Sequence, residues 1–168
     1  MKLLQSLDTE RGVDLNLSLA DDLRVPKREI AAEVSFLFNA EQPMECLFYL
    51  NLYTPRRSGE ESLADFLNSQ WSFFPLRERS SREFFIVHVN QVMLVTEALP
   101  APAPAGRSLR LFMQNGAELE LRTVEPRHAW RARPIDLLND EERFVTLSRG
   151  DAVLVHVNKR HIARVEGI

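Results

Sequence analysis

Two histidines in matching phrases, Val87-His88-Val89-Asn90 and Val155-His156-Val157-Asn158, are the residues of this chain best suited to chemistry. An imidazole changes charge near neutral pH and can act as general base, general acid or metal ligand. On an alternating strand each ring faces away from its valine neighbours, so inward valines send His88 and His156 outward or toward the other copy of the phrase. An interface joining the copies would bring the rings together for acid–base or metal chemistry. The competing reading is a solvent-facing or interface histidine. Zinc requires further ligands at short spacing, and His128, His161 and Cys46 offer no such spacing. No metal and no other cofactor is expected.

Asp65 and Asp136 form a second matched pair, in Asp65-Phe66-Leu67-Asn68 and Asp136-Leu137-Leu138-Asn139. Paired carboxylates can share acid and base work, but their setting also gives them a structural use. Ser62 with Asp65 resembles a capping box, and Pro134 precedes Asp136 in the manner of a first-turn proline. A carboxylate in a helix's first turn gains roughly 0.3–1 kcal/mol from the helix dipole. Asn68 and Asn139 suit the helix exit, because asparagine tolerates the left-handed region. The basic run Lys159-Arg160-His161, with Arg164 beyond it, sits on a hairpin tip, where it can meet phosphate or an acidic partner or be solvated. With His88 and His156 these four are the candidate partner-binding residues. Trp71, Phe73 and Phe74 form an aromatic cluster that the second copy matches only with Phe144, and it reads as core or module interface. The chain has no phosphate loop, dinucleotide glycine fingerprint or nucleophile elbow. No catalytic residues are expected, and the chain does not read as an enzyme.

These residues recur because the chain repeats itself. The Asp-x-Leu-Asn segments, Phe73 and Leu76 against Phe144 and Leu147, and the two histidine phrases follow in the same order. Between the copies, the alternating prolines of residues 99–106 read as a stiff connector. The expected organisation is an extension plus first module over 1–98, the linker over 99–106, and a second module over 107–168. Ahead of the first copy, Val13, Leu15, Leu17 and Leu19 alternate with polar residues as a half-buried strand does. The first repeat is expected to begin near Glu33.

In the second copy Leu109, Leu111 and Met113 alternate up to Asn115-Gly116, and Ala117, Leu119 and Leu121 alternate after it, predicting a hairpin with a two-residue type I′ turn. In the first, Val34 to Phe38 and Cys46 to Tyr53 occupy the same places around a longer turn at Pro43. A short helix, a short strand and a closing strand pair follow in each copy. The expected fold is mainly β, with two tandem five-stranded barrel-like modules, each with a short internal helix, since closure removes exposed edges.

The net charge of -3 disfavours a broad nucleic-acid-binding surface. A single cysteine excludes an intrachain disulfide and fits a reducing cytoplasm. No stretch reaches the length of a membrane span, so a cytoplasmic chain without a membrane partner is expected. A second copy of about sixty residues is near the size at which a core is marginal, which favours packing between copies or homo-oligomers.

The segment Val153 to Val165 resembles the closing hairpin of Sm-like and SH3-like barrels. Together with Arg133 to Asn139 and Phe144, it also resembles an uncharacterised group of small bacterial β domains that carry an Asp-Leu-Leu-Asn segment before a β hairpin. The bacterial group implies no activity. The Sm-like likeness implies ring assembly and RNA binding, although here the helix lies within each repeat and not ahead of the barrel. The leading expectation is a non-enzymatic binding or scaffolding protein that engages a protein or peptide. The alternatives are nucleic-acid binding through the basic tip, and a small enzyme or metal site at the module interface.

Overall fold

The computed structural model describes residues 27–53, 59–99, 102, 105–124 and 133–167. The strand expected over Val13–Leu19, His128 and most of the linker lie outside the described residues. The first copy contains β1 (Lys27–Phe36), β2 (Asn39–Asn51), α1 (Leu63–Leu67), β3 (Phe73–Glu78), β4 (Phe84–His88) and β5 (Val92–Ala98). The second contains β6 (Ala105–Met113), β7 (Glu118–Val124), α2 (Pro134–Leu138), β8 (Phe144–Arg149), β9 (Val153–Asn158) and β10 (Ile162–Gly167). A 3-10 turn joins each copy's last two strands, over Val89–Gln91 and Lys159–His161.

The mainly β expectation holds, but the barrels do not. All the strands among the described residues form one ten-stranded antiparallel sheet in the order β10-β6-β7-β8-β9-β5-β1-β2-β3-β4. Within each copy the fifth strand returns to pair with the first. Closing a copy would then require its fourth and fifth strands to pair. Instead β5 gives its free edge to β9 of the other copy, with Val95 opposite His156 and Leu94 opposite Val157. The edge problem that closure would solve is solved at this position by fusing the copies.

Each copy has its own apolar cluster, and the seam strands serve both. Val95, on one face of β5, lies in the first cluster with Phe36, Phe48 and Leu67. Leu94, on the other face, packs against the second cluster with Leu111, Leu147 and Val157. Met93 of the first copy is buried in the second cluster, while Phe144 of the second copy is buried in the first. Neither core is complete with its own copy's residues alone.

Local expectations fare unevenly. The capping box is formed: Asp65 N–H donates to Ser62 Oγ at 3.1 Å and Ser62 N–H to Asp65 Oδ2 at 3.2 Å. Asp136 also sits in a first turn, gripped by both Nε and Nη2 of Arg133 at 2.9 and 3.0 Å. Asn68 and Asn139 do end the helices, but with φ of -92° and -98° neither enters the left-handed region. The β6–β7 turn has three residues, since Met113 N–H bonds Ala117 O and Gly116 N–H bonds Met113 O. Only Gly116 there has positive φ, at 87°, the form of a type I turn followed by a glycine bulge.

β1 starts at Lys27, ahead of Glu33, and turns tightly at Leu37-Phe38; Pro43 lies inside β2 at a register irregularity that spares it a ladder bond. Ala105 and Gly106, expected in the linker, already belong to β6. A Cβ on Gly106 would come within 2.1 Å of Thr123 Oγ1, so the strand crosses there only because the side chain is absent.

Cys46 is fully buried in the first cluster. Burial pushes its thiol up to about 11, helped by the nearby Glu78 and Glu45 carboxylates. The thiol therefore stays protonated at neutral pH and is inert toward electrophiles. Native protein is expected to resist a thiol reagent at pH 8 and to react fully once unfolded in urea. Because the folded value lies above the unfolded one, this group's stabilising effect is present below pH 8.5–9 and fades as pH rises toward 11.

Candidate functional site: the seam and the open edge

The histidines do not meet. His156 lies on β9 at the seam and His88 on β4 at the sheet's edge, with four strands between them. Their facing follows the alternation: Val87 and Val89 enter the first cluster, and Val155 and Val157 the second. The matched phrases are nevertheless not structural equivalents. His88 caps the first 3-10 turn by accepting from Asn90 N–H at 3.1 Å, and Asn158 caps the second by accepting from Arg160 N–H at 3.1 Å. Phe73 pairs with His88 and Phe144 with Asn158. The true counterpart of His88 is thus Asn158, and that of His156 is Ile86, a shift of two positions.

His156 is wholly buried. Its Nε2 lies 3.0 Å from Glu97 Oε1 on β5, and its Nδ1 lies 2.9 Å from Thr146 Oγ1 on β8. A carboxylate only accepts, so Nε2 carries the proton toward Glu97, and in a neutral ring Nδ1 then accepts from the threonine hydroxyl. The order hydroxyl, imidazole, carboxylate has the connectivity of a nucleophile relay. Full burial between two copies instead gives it the role of a polar pin in the seam.

The other polar residues of the seam act in the same way. Asn158 donates through Nδ2 to Val89 O at 3.1 Å and Val92 O at 2.9 Å. His161 Nε2 reaches Asn90 O at 2.8 Å. Asn68 holds the main chain of Phe144 from both sides, accepting its N–H at 2.8 Å and donating to its carbonyl at 3.2 Å. Arg143 donates to the carbonyls of Trp71 and Ser69, both at 2.8 Å.

The basic tip is consequently not a patch of free cations. Lys159 is engaged by the Asp140 carboxylate and donates to its carbonyl at 3.0 Å. His161 is buried. Arg164 lies 4.1 Å from the Phe112 ring centre and pairs with Glu166 at 3.2 Å. Of these four, Arg160 alone projects an exposed charge without a side-chain partner among the described residues. Among the described residues no group of three His, Cys, Asp or Glu is placed to hold a metal ion.

What is open is the far edge of the sheet. The aromatic cluster divides: Phe74 is core, whereas Trp71 is 65% and Phe73 55% exposed. On the outer face of β3 and β4, Phe73 pairs with His88, Pro75 with Ile86, and Arg77 with Phe84. Phe73 meets the His88 ring edge-on at 4.8 Å, and the Arg77 guanidinium lies 5.2 Å from the Phe84 ring. Tyr49 stacks behind Phe84 at 5.8 Å, its buried hydroxyl without a hydrogen-bond partner among the described residues. Phe84 is 65% and Ile86 73% exposed. Phe84 and Ile86 carried no functional weight in the sequence reading. The available signal was Phe84-Phe85-Ile86-Val87-His88 itself, apolar on both faces and without formal charge, as a strand covered on both sides is.

Comparison with protein-family models, curated proteins and solved structures yields no match to this chain.

Proposed function

We propose that this protein is a non-enzymatic binding or scaffolding unit that docks a protein strand along β4. One observation carries the reading: among the described residues β4 is an end strand of the sheet with no strand on its outer side, beside an exposed apolar strip of Phe73, Phe84 and Ile86. Edge strands left to solvent are commonly guarded by charges, proline or bulges, and none of these lies on β4. An added strand would gain main-chain hydrogen bonds from the edge and specificity from alternate side chains, the logic of β-augmentation. Among the described residues the His156 relay is buried and the cations of the basic tip are mostly paired, so the catalytic and nucleic-acid readings draw less support.

Affinity capture from native cells tests the reading. Binding partners held by the wild-type chain are expected to be lost with Ile86→Lys and kept with Arg160→Glu. The opposite pattern, with salt-sensitive nucleic acid lost on Arg160→Glu, would transfer the function to the basic tip.

A further inference from the structure

The interface that joins the two copies is present in half at each end of the sheet. β4, at one end, is the counterpart of β9; β10, at the other, is the counterpart of β5. In the seam Leu154 is half-buried, and His156 and Asn158 are buried. Their counterparts on β4 are Phe84 and Ile86, 65% and 73% exposed, and the half-buried His88. Phe144, at 0% exposure, is set in the neighbouring copy's core; its counterpart Phe73 is 55% exposed. The inserting side of the seam thus recurs on β3 and β4, with nothing among the described residues to insert into.

The receiving side recurs as well. Phe144 enters a cluster built partly by Leu63 and Leu67 of α1 and Val95 of β5. The equivalent place in the second copy, between α2 and β10, is a shallow apolar cleft of about 10 Å³ lined by Pro134, Leu137, Leu138, Leu109 and Val165. Asn68 clamps the Phe144 main chain, while its counterpart Asn139 is exposed and its side chain holds no hydrogen bond among the described residues.

We propose that the chain assembles head to tail with further copies of itself, β4 of one chain pairing with β10 of the next and Phe73 packing over the apolar mouth of the cleft between α2 and β10. The proposal rests on the edge-docking reading above and names its partner. Carrying the seam register across places Ile86 opposite Val165, as His156 stands opposite Val95, and Val87 opposite Arg164, as Val157 stands opposite Leu94. A second copy is favoured over an unrelated protein because one chain carries both complementary halves. The two surfaces differ, so the contact is heterologous and propagates, into a ring if the rotation closes and a filament if it does not.

Two experiments on the full chain decide it. Sedimentation over a wide concentration range is expected to show species larger than a monomer, collapsing to monomer with Ile86→Lys. Ile86→Cys and Val165→Cys, prepared separately and mixed under mild oxidant, are expected to give a disulfide-linked pair, while neither links to itself. A wild-type chain that stays monomeric, or an Ile86→Cys chain that links to its own kind, overturns head-to-tail assembly. If the chain is monomeric but Ile86→Lys still loses a captured protein, edge docking stands and only self-assembly falls. A monomer whose capture is indifferent to Ile86→Lys sinks both.

Discussion

Phe144→Ala is expected to destabilise the protein by about 3–5 kcal/mol, the range for emptying a buried phenylalanine site, and so to lower the thermal midpoint by on the order of 10 °C for a chain of this size. The loss should fall on the first copy's core, because the ring belongs to that cluster although the residue belongs to the second copy. Phe73→Ala is the matched control. It removes the same side chain from the same slot of the repeat, but at 55% exposure in one copy of the chain. Measured at a concentration where the protein is dispersed, it should cost less than about 1 kcal/mol, the scale of surface substitutions. Urea unfolding followed by circular dichroism would separate the two, and equal losses would mean that Phe144 is not a shared core residue.

His156→Leu is expected to cost about 3 kcal/mol, because it strands the Glu97 carboxylate, 16% exposed, and the Thr146 hydroxyl at the seam. The companion prediction is sharper. His156→Leu combined with Glu97→Leu should recover much of that loss, since an apolar pair replaces the buried imidazole–carboxylate pair and only the Thr146 hydroxyl is left without its partner. The open edge already carries Ile86 in the place of His156 and Gly167 in that of Glu97. A double variant as unstable as the single one, in the same urea titration, would show that the imidazole contributes through contacts other than Glu97.

The parts of the fold legible in the sequence were those set by neighbours along the chain. The Ser62–Asp65 cap, Pro134 in a first turn and the alternation around each histidine depend on local chemistry, and the residue types state it. Copy-to-copy register was not legible. A strand pattern repeats every two residues, so sliding Val-His-Val-Asn by two positions keeps every valine inward, and the text match could settle on the wrong alignment. Closure was not legible either, because a barrel and a fused pair satisfy the same inner strands and differ only in which strand takes the free edge of β5. For the same reason Phe73 and Phe144 look alike as letters. One is at a seam and the other at an end, and that difference belongs to the whole sheet.

The exchange of Phe144 and Met93 between the two clusters also sets an order of events on the ribosome. At roughly 5–20 residues per second, the first copy's strands emerge seconds before Phe144 is made. Until then the first core lacks a ring and β5 lacks its neighbour, so the nascent half-protein is a sticky intermediate whose natural partner is the sequence still being translated. A chain stopped at the linker would keep that appetite for good, and in a crowded cell it would be satisfied by the end strand β4 of a finished chain, the counterpart of β9, or by aggregation. Two halves that complete each other's cores make partial synthesis hazardous, and this gives selection a reason to keep both copies in one reading frame.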